Sequence, residues 1–570
     1  MEHEGRWPEP DLGRALRVAA VVAAVIVPLA FFGVVFAWPV AAMIGRGFTD
    51  AGHIDITGFS DVFARPRTWR IIGQTLGQAG AATVIVGGLG LPAAHICYRR
   101  RFPGRGVVRL VFTVPFVLPA VVVGVAFRSL IGPSGPLGWL GIDGTMTAVI
   151  AALVFFNCGL FVRSVGTFWA GIDPRPGQAA RALGASGART WWTVTMPSLA
   201  PAIASTSCLV FLFSATAFGT VLILGGLRAG TIETEIWLQT TQMLDLRAAS
   251  VLSVVQLAVV VLVLGAAGAA RRRRERSARV RAPSGREMRR LVRADIVPGV
   301  VTALTALAIT GPMAALAVRS LHTGSGWGFG NYARLAVAGG TSGMPTSMLA
   351  AAGTSIRVAA GATVISLVIG LMVAGVASRR ARTAAGRRLV GMLDGIAMAP
   401  LGVSAVTVGF GFLIALDRPP LDLRGSALMV PLAQAVVATP VVVRSMLPVL
   451  RGIDPRQREA AALLGASPAR VWCTIDLPIA ARALGVAAGL AFAVAMGEFG
   501  ATAFLARPAT ATLPVAIFRL LGRPGPANFG TALAGCVLLA AVTSAVMVLA
   551  ERARVRGWTG RERGGAVVEW

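Results

Sequence analysis

The 570-residue sequence contains no lysine at all and is poor in acids and in tyrosine. Lysine and arginine together number 54, so every one of these cations is an arginine, against only 25 acidic residues. A P-loop needs a lysine to reach the β- and γ-phosphates of ATP. The sequence therefore excludes ATP hydrolysis by that chemistry, and we expect the chain itself to bind no cofactor.

Cysteine and histidine are also scarce, with five and four residues respectively. The cysteines are widely spaced, without a CxxC pair or a neighbouring histidine set that would complete a metal site. They are Cys97, Cys158, Cys208, Cys473 and Cys536. We interpret them as structural thiols, and we expect neither catalytic nor metal-binding residues in this chain.

Long apolar runs dominate what is present, because 55% of the residues are hydrophobic and only 14% are charged. The mean hydropathy of +0.71 lies far above that of soluble proteins. A membrane-spanning helix needs about 20 mainly apolar residues. Twelve such runs occur, at about 18–44, 71–98, 107–131, 147–168, 199–224, 249–270, 294–318, 350–377, 389–416, 427–450, 479–505 and 530–550. The sequence predicts an all-α integral membrane protein with about twelve transmembrane helices.

The first apolar run is longer than the core of a signal peptide, and acids as well as arginines precede it. We therefore expect a retained membrane helix and a multi-pass protein of the plasma membrane.

The formal net charge of +29 is compatible with nucleic-acid binding. The arginines, however, concentrate in the loops on one side of the predicted membrane, and eleven of them lie in 271–293. Such a bias marks the cytoplasmic side. We predict that both termini are cytoplasmic, that membrane lipid surrounds the chain and that nucleic acid is not a partner. The linker is interpreted as a tether whose charge also suits anionic lipid headgroups.

An internal repeat organises the chain. Residues 163–201 align without gaps on residues 444–482, an offset of 281, and nearly half of the aligned positions are identical. Two tandem six-helix halves joined at the cytoplasmic side insert in the same orientation, which predicts a pathway between them. The predicted parts are a cytoplasmic segment 1–17, a first unit 18–270, an arginine-rich linker 271–293, a second unit 294–550 and a cytoplasmic tail 551–570.

The repeated segment connects the fourth and fifth helices of each half. In the second half, Asp454 is a good helix N-cap and Pro455 suits the first helical position. Gly465 suits the left-handed turn that ends a helix, and Ser467 with Pro468 provides a second start. The sequence predicts two short helices at an angle on the cytoplasmic surface, at about 171–197 and again at 452–478.

The repeated segment carries one pattern in two copies. The second copy reads Glu459, Ala460, Ala461, Gly465, Ile475, Leu477 and Pro478. The first copy keeps the spacing, after its cap Asp173, with Gln178, Ala179, Ala180, Gly184, Val194, Met196 and Pro197. The pattern, complete in the second copy, resembles the cytoplasmic EAA loop of permease subunits of type I, binding-protein-dependent ATP-binding-cassette importers. The resemblance covers roughly residues 70–270 and 350–550.

The resemblance implies that each loop docks on an ATPase subunit, which uses the ATP and is expected in two identical copies. It also implies an extracytoplasmic solute-binding protein that delivers the cargo. Because Gln178 stands where the second copy has Glu459, the two docking sites are expected to be unequal.

A single chain with two such loops is similar to the thiamine and ferric-iron importers of this class. The segments 496–504 and 512–522 resemble the thiamine permeases, which favours thiamine over ferric iron. Both cargoes are cationic, so Glu498 is a candidate for the translocation pathway. The alternative is that Glu498 forms a hydrogen bond to a neighbouring helix.

The rival class is an ion-coupled secondary transporter, which can also have two parallel six-helix halves. Such proteins keep ionisable residues within their helices for coupling. Such side chains are few in the apolar runs, and among them are Asp394, near the start of the ninth run, and Glu498, within the eleventh. Three further polar side chains, Asn157, Gln256 and Gln434, are expected to form interhelical hydrogen bonds rather than to bind a ligand.

Overall fold

The computed structural model describes residues 12–50, 53–226, 228–277, 289–324, 326–338, 345–379, 383–416, 422–423 and 425–559. Most of the predicted N-terminal segment, the middle of the linker and the second half of the tail lie outside the described residues.

The first half is a series of helices, with two-residue strands in its loops. Its elements are α1 Leu12–Phe32, α2 Trp38–Phe48, β1 Thr49–Asp50, β2 His53–Ile54, α3 Thr57–Ala64, α4 Pro66–Arg99, β3 Arg100–Arg101, α5 Arg105–Val117, α6 Ala120–Ile131, α7 Met146–Gly171, α8 Arg175–Ala182, α9 Gly187–Thr190, α10 Met196–Ala215, α11 Gly219–Leu224, α12 Ile232–Thr241 and α13 Leu246–Ser277. Single π-helical turns join α1 to α2 and α9 to α10.

The second half repeats this order. Its elements are β4 Arg289–Arg290, α14 Ile296–Ser320, β5 His322–Thr323, β6 Gly326–Trp327, α15 Gly330–Ala333, α16 Met348–Ala377, α17 Ala384–Met398, α18 Ala405–Ala415, α19 Met429–Arg451, α20 Pro455–Leu463, α21 Pro468–Val471, α22 Leu477–Gly497, α23 Thr502–Leu505, α24 Leu513–Leu521 and α25 Pro526–Thr559. A π-helical turn joins α21 to α22.

The predicted all-α membrane architecture is confirmed. Among the described residues, nine helices are long and apolar enough to cross a membrane, and three bent helix pairs raise the number to twelve. Several boundaries differ from the predicted ones. The first helix begins at Leu12, before the predicted start, and α13 continues to Ser277 through the first residues of the predicted linker. Helix α25 continues to Thr559, into the predicted tail, and the predicted run 199–224 is divided between α10 and α11.

Two apolar runs that the sequence presents as continuous are sharply bent. The axes of α5 and α6 differ by 111°, and those of α17 and α18 differ by 101° when the 3-10 turn after α17 is included. In the first case Pro119 forces the preceding Leu118 into extended backbone. In the second, the hydroxyl of Ser404 accepts the amide of Thr407 at 3.1 Å and starts a new helix.

The two halves interlock through their first helices. Helices α4, α7, α10 and α13 pack together in the first half, and α16, α19, α22 and α25 do so in the second. Helices α1 and α2, however, pack on α16 and α18 of the second half, while α14 packs on α4 and α6 of the first. Each half thus packs its first helix against the other.

A polar junction holds the start of the second half to the first. Strands β3 and β4 pair in parallel, and the Asp295 carboxylate lies 3.0 Å from Nε2 of His95 and 2.9 Å from the Arg100 guanidinium. Asp295 precedes α14, so these contacts fix the entry of α14 beside α4.

Candidate functional site

The second surface loop is built by the helix caps that its sequence predicts. The Asp454 carboxylate accepts the amide of Arg456 at 3.0 Å at the start of α20. Gly465 has φ +78°, the left-handed conformation that ends a helix. The Ser467 hydroxyl accepts the amide of Arg470 at 3.2 Å and starts α21. The predicted pair of short helices is confirmed.

The first surface loop has the same backbone. Asp173 accepts the amide of Arg175 at 3.0 Å, and Gly184 has φ +85°. Ser186 then accepts the amide of Arg189 at 3.2 Å. The two loops are therefore two copies of one local structure, set by residues at equal positions of the repeat.

Both loops present their motif residues at the surface. The leading pairs Gln178–Ala179 and Glu459–Ala460 are exposed, as are Pro197 and Pro478, while Ala180, Ala461 and Leu477 are half-buried. The equivalent leucines Leu183 and Leu464 are 89% and 88% exposed. Repeated apolar side chains this exposed indicate a surface that another protein covers.

The loops differ in how they are fastened to the helix that follows. In the second loop, Nε of Arg458 lies 2.8 Å from Oδ1 of the buried Asp476, and the same guanidinium donates to the Leu450 carbonyl at 3.0 Å. The equivalent positions of the first loop hold Gly177 and Thr195, which cannot form an ion pair. Only the second loop is tied to its membrane helix by this pair.

Four aromatic rings meet where the two halves contact each other. The rings of Phe218 and Phe499 stack with centroids 5.5 Å apart, and Trp237 meets Phe518 edge-on at 5.9 Å. The ring centroids of Phe218 and Trp237 are 6.5 Å apart, and those of Phe499 and Phe518 are 5.4 Å apart. We call these four residues the axial aromatic cluster.

The repeat explains this arrangement. Phe218 and Phe499 are 281 residues apart, and so are Trp237 and Phe518. Equivalent residues of two symmetric halves can touch each other only close to the symmetry axis. The axial aromatic cluster therefore lies on the axis between the halves, where rings of both halves are in contact.

Helices α12 and α24 are held beside the axis by matching hydrogen bonds. The amide of Ile232 donates to the Thr75 hydroxyl at 3.0 Å, and the amide of Leu513 donates to the Ser355 hydroxyl at 2.7 Å. The same bond is thus made by both halves. It confirms that α12 and α24 are equivalent elements.

Glu233 is a fully buried carboxylate at the boundary between the halves. Its Oε2 accepts the hydroxyl of Ser404 from the second half at 2.7 Å. Its Oε1 is buried and has no hydrogen-bond partner among the described residues. The repeat places Pro514 at the equivalent position, so this acid belongs to the first half alone.

Glu233 is not among the site residues that the sequence predicts. It stands in a short polar stretch outside the apolar runs, and its burial depends on Ser404, which is distant in the chain. The repeat could have identified it. At the 281-residue offset, the segment 231–241 that contains Glu233 aligns with 512–522, a segment already singled out by its resemblance.

Glu498 lies at the end of α22 and is also buried. Its carboxylate accepts the amides of Ala501 at 2.7 Å and of Thr502 at 3.0 Å, and it contacts the Thr502 hydroxyl as well. These bonds cap the short helix α23. The carboxylate thus holds the bend of the chain that carries the adjacent ring of Phe499. Asp394, the other predicted acid, is half-buried in α17.

The three predicted interhelical hydrogen bonders are confirmed. Nδ2 of Asn157 donates to the Ser214 hydroxyl at 3.3 Å, and Nε2 of Gln256 donates to the Ala215 carbonyl at 3.2 Å. Nε2 of Gln434 lies 3.4 Å from the Thr502 hydroxyl. Each of these bonds joins two different helices.

Many transporters are built from two repeated bundles of membrane helices. Residues 86–274 match the family described as "Binding-protein-dependent transport system inner membrane component". Over these residues, which lie in the first half, the chain resembles a permease component of this type. The helices counted above are those of a multi-pass membrane protein.

Curated relatives extend the match beyond one half. The thiamine transport system permease protein ThiP of Brucella abortus (strain 2308) is 27% identical over 529 residues, covering 89% of this chain and 90% of the relative. The sulfate transport system permease protein CysT of Escherichia coli (strain K12) is 31% identical over 172 residues, which are 29% of this chain and 62% of the relative.

Among solved structures, a bacterial ABC transporter involved in the import of the acidic polysaccharide alginate matches 46% of this chain and 99% of its own, with a TM-score of 0.39 and 19% identity.

Proposed function

We propose that this chain is the membrane-spanning permease of an importer that moves a small cationic solute inward, with thiamine favoured and ferric iron next. A separate ATPase subunit, present as two identical copies, drives it by alternating access, and an extracytoplasmic binding protein delivers the solute. Both termini lie in the cytoplasm. ATP is used by the ATPase subunit and is not bound by this chain.

The observation that carries the proposal is the pair of equivalent surface loops. Each one presents a short capped helix, a left-handed glycine and an exposed leucine at the same repeat position. Two docking surfaces with the same backbone suit two copies of one ATPase. The absence of lysine requires that the ATPase be another chain.

The docking test uses the double variant Glu459→Arg with Gly465→Asp. The ATPase subunit should co-purify with the wild type and be lost from this variant, because a reversed charge and a strained left-handed residue disrupt the loop surface. Leu464→Arg is a milder variant whose exposed position costs little folding energy.

The matched control is Ile54→Arg. Ile54 lies in β2 and is 87% exposed. Strand β2 precedes the membrane helix α4 and β3 follows it, so Ile54 lies on the opposite side of the membrane from β3. Its ATPase should co-purify as in the wild type. If the double variant and Leu464→Arg recovered as much ATPase as the wild type and the Ile54→Arg control, docking at the loops would be contradicted.

The cargo proposal is supported by the extent of similarity to the thiamine permease. That relative matches over 89% of this chain, whereas the sulfate permease matches over 29%. The cationic charge of thiamine also suits a permease whose buried acids lie beside the contact between the halves. Uptake of labelled thiamine, ferric ion and sulfate by reconstituted transporter separates the three cargoes.

Glu498 contributes to the pathway by holding the bend that carries Phe499. Glu498→Gln keeps one acceptor oxygen for the α23 amides, and Glu498→Ala removes both. We expect uptake to fall slightly in the first and strongly in the second. Unchanged uptake in both variants would remove Glu498 from the pathway.

The alternative is an ion-coupled secondary transporter, which the buried Glu233 would also suit. Uptake would then follow an imposed ion gradient in vesicles that contain this chain alone. Under the importer proposal, such vesicles accumulate nothing, and uptake requires both the ATPase subunit and ATP.

A further inference from the structure

Glu233 is a fully buried carboxylate, and one of its oxygens has no hydrogen-bond partner among the described residues. Removing a carboxylate from water is strongly unfavourable unless a partner compensates it. Glu233 is 0% exposed, it takes part in none of the ion pairs seen among the described residues, and the hydroxyl of Ser404 satisfies only one of its oxygens. An ionisable group kept under these conditions indicates a functional role.

Three buried amides lie in the same half, around the last turn of α10. Gln78 and Gln256 donate to the carbonyls of Ser214 and Ala215, both at 3.2 Å, and Asn157 donates to the Leu153 carbonyl at 3.0 Å. A carbonyl accepts only from the amide nitrogen, so all three orientations are fixed.

Within the part of the chain that the structure describes, these fixed orientations leave three amide oxygens without hydrogen-bond partners. They are Oε1 of Gln78, Oδ1 of Asn157 and Oε1 of Gln256. Gln256 also lies near enough to Glu233 for its amide nitrogen to favour the carboxylate. Together with Glu233, the surplus groups of this region are therefore oxygen acceptors, an electrostatic setting that attracts a cation and repels an anion.

The axial aromatic cluster adjoins this carboxylate. Trp237 follows Glu233 by one helical turn, so both lie on the same face of α12. Aromatic faces attract cations, most strongly organic cations stripped of water. Among the described residues, no group of three or more His, Cys, Asp or Glu side chains could hold a metal ion. One carboxylate, neutral amides and aromatic rings suit an organic cation.

We propose that Glu233 and the axial aromatic cluster form the recognition site for an organic cation inside the permease. Glu233 supplies the negative charge, and the rings, which separate as the halves move, supply the faces against which the cation lies. The inference rests on the proposed importer function and deepens it by assigning the residues that select the charge of the cargo.

The test is equilibrium binding of tritiated thiamine and tritiated choline to the permease–ATPase complex in nanodiscs, without the binding protein. We expect Glu233→Gln to lower the affinity for both cations at least tenfold, and Glu233→Asp to restore part of it. Trp237→Leu should weaken binding several-fold, whereas Trp237→Phe, which keeps a ring, should weaken it less.

The matched control is Glu235→Gln. Glu235 is buried on the same helix, but both of its oxygens pair with the Arg67 guanidinium at 2.8 to 3.2 Å. Its binding affinity should stay within twofold of the wild type. Co-purification of the ATPase reports whether each variant is assembled. If Glu233→Gln fails to assemble, Glu233→Asp and the two Trp237 variants decide.

The outcomes separate the site from the cargo. Wild-type affinity in Glu233→Gln would overturn the site. Binding of choline but not thiamine by the wild type would contradict the thiamine cargo and leave the site standing. Binding of neither cation by the wild type would also overturn the site, while ATPase docking is judged separately by the loop variants.

Discussion

The ion pair in the second loop permits a quantitative prediction. Asp476→Asn replaces a buried carboxylate that accepts Nε of Arg458 at 2.8 Å with a neutral group of the same shape. A hydrogen bond to a charged group contributes about 1.5 to 3 kcal/mol. We take about 2 kcal/mol, because the Arg458 side chain is 24% exposed and water compensates part of the loss.

Local opening of α20 should then become easier by about 30-fold, since each 1.4 kcal/mol is a factor of ten. The assay is hydrogen exchange of the α20 amides in the detergent-solubilised protein, because exchange reports local opening directly. Helix α8 is an internal control, because its loop has Gly177 and Thr195 in place of the pair. Its exchange should not change.

The same reasoning predicts that α20 is more protected than α8 in the wild type. Equal exchange of α20 in wild type and Asp476→Asn would refute the idea that this pair fastens the second loop. So would faster exchange of α8 and α20 together, which would indicate a general loss of stability.

Further predictions concern packing and orientation. A Cβ on Gly159 would overlap the Phe112 backbone carbonyl. Gly159→Ala should therefore lower the free energy of unfolding by about 1 to 3 kcal/mol and lower the Tm. Gly265→Ala is the control, because a Cβ there meets open space, and its Tm should not change. The exposed Cys473 of the second loop should react with an impermeant maleimide in inside-out vesicles, and bound ATPase should protect it. The buried Cys536 should remain unlabelled with or without the ATPase. Labelling of Cys473 from the outer side would contradict the assigned orientation.

The sequence predicted those features that depend on neighbours in the chain. The caps at Asp454 and Ser467 and the left-handed Gly465 are local, because each needs only residues within one turn. The twelve apolar runs were predictable for the same reason. Each reflects the length of chain that a bilayer requires.

Features that depend on distant contacts were not predictable. The break at Ser404 lies within an apolar run, and its hydroxyl bonds to Glu233 of the other half. The contact of Phe218 with Phe499 requires the two halves to face each other across the axis. The repeat offset identifies such residues as equivalent, but it does not show that equivalent residues touch.

The most direct test of the account is import by purified components. Proteoliposomes that contain this chain, its ATPase subunit and its binding protein should accumulate labelled thiamine only when ATP is supplied on the ATPase side. Leu464→Arg combined with Leu183→Arg should abolish the uptake. ATP-independent accumulation, or full uptake with both loops altered, would contradict the account.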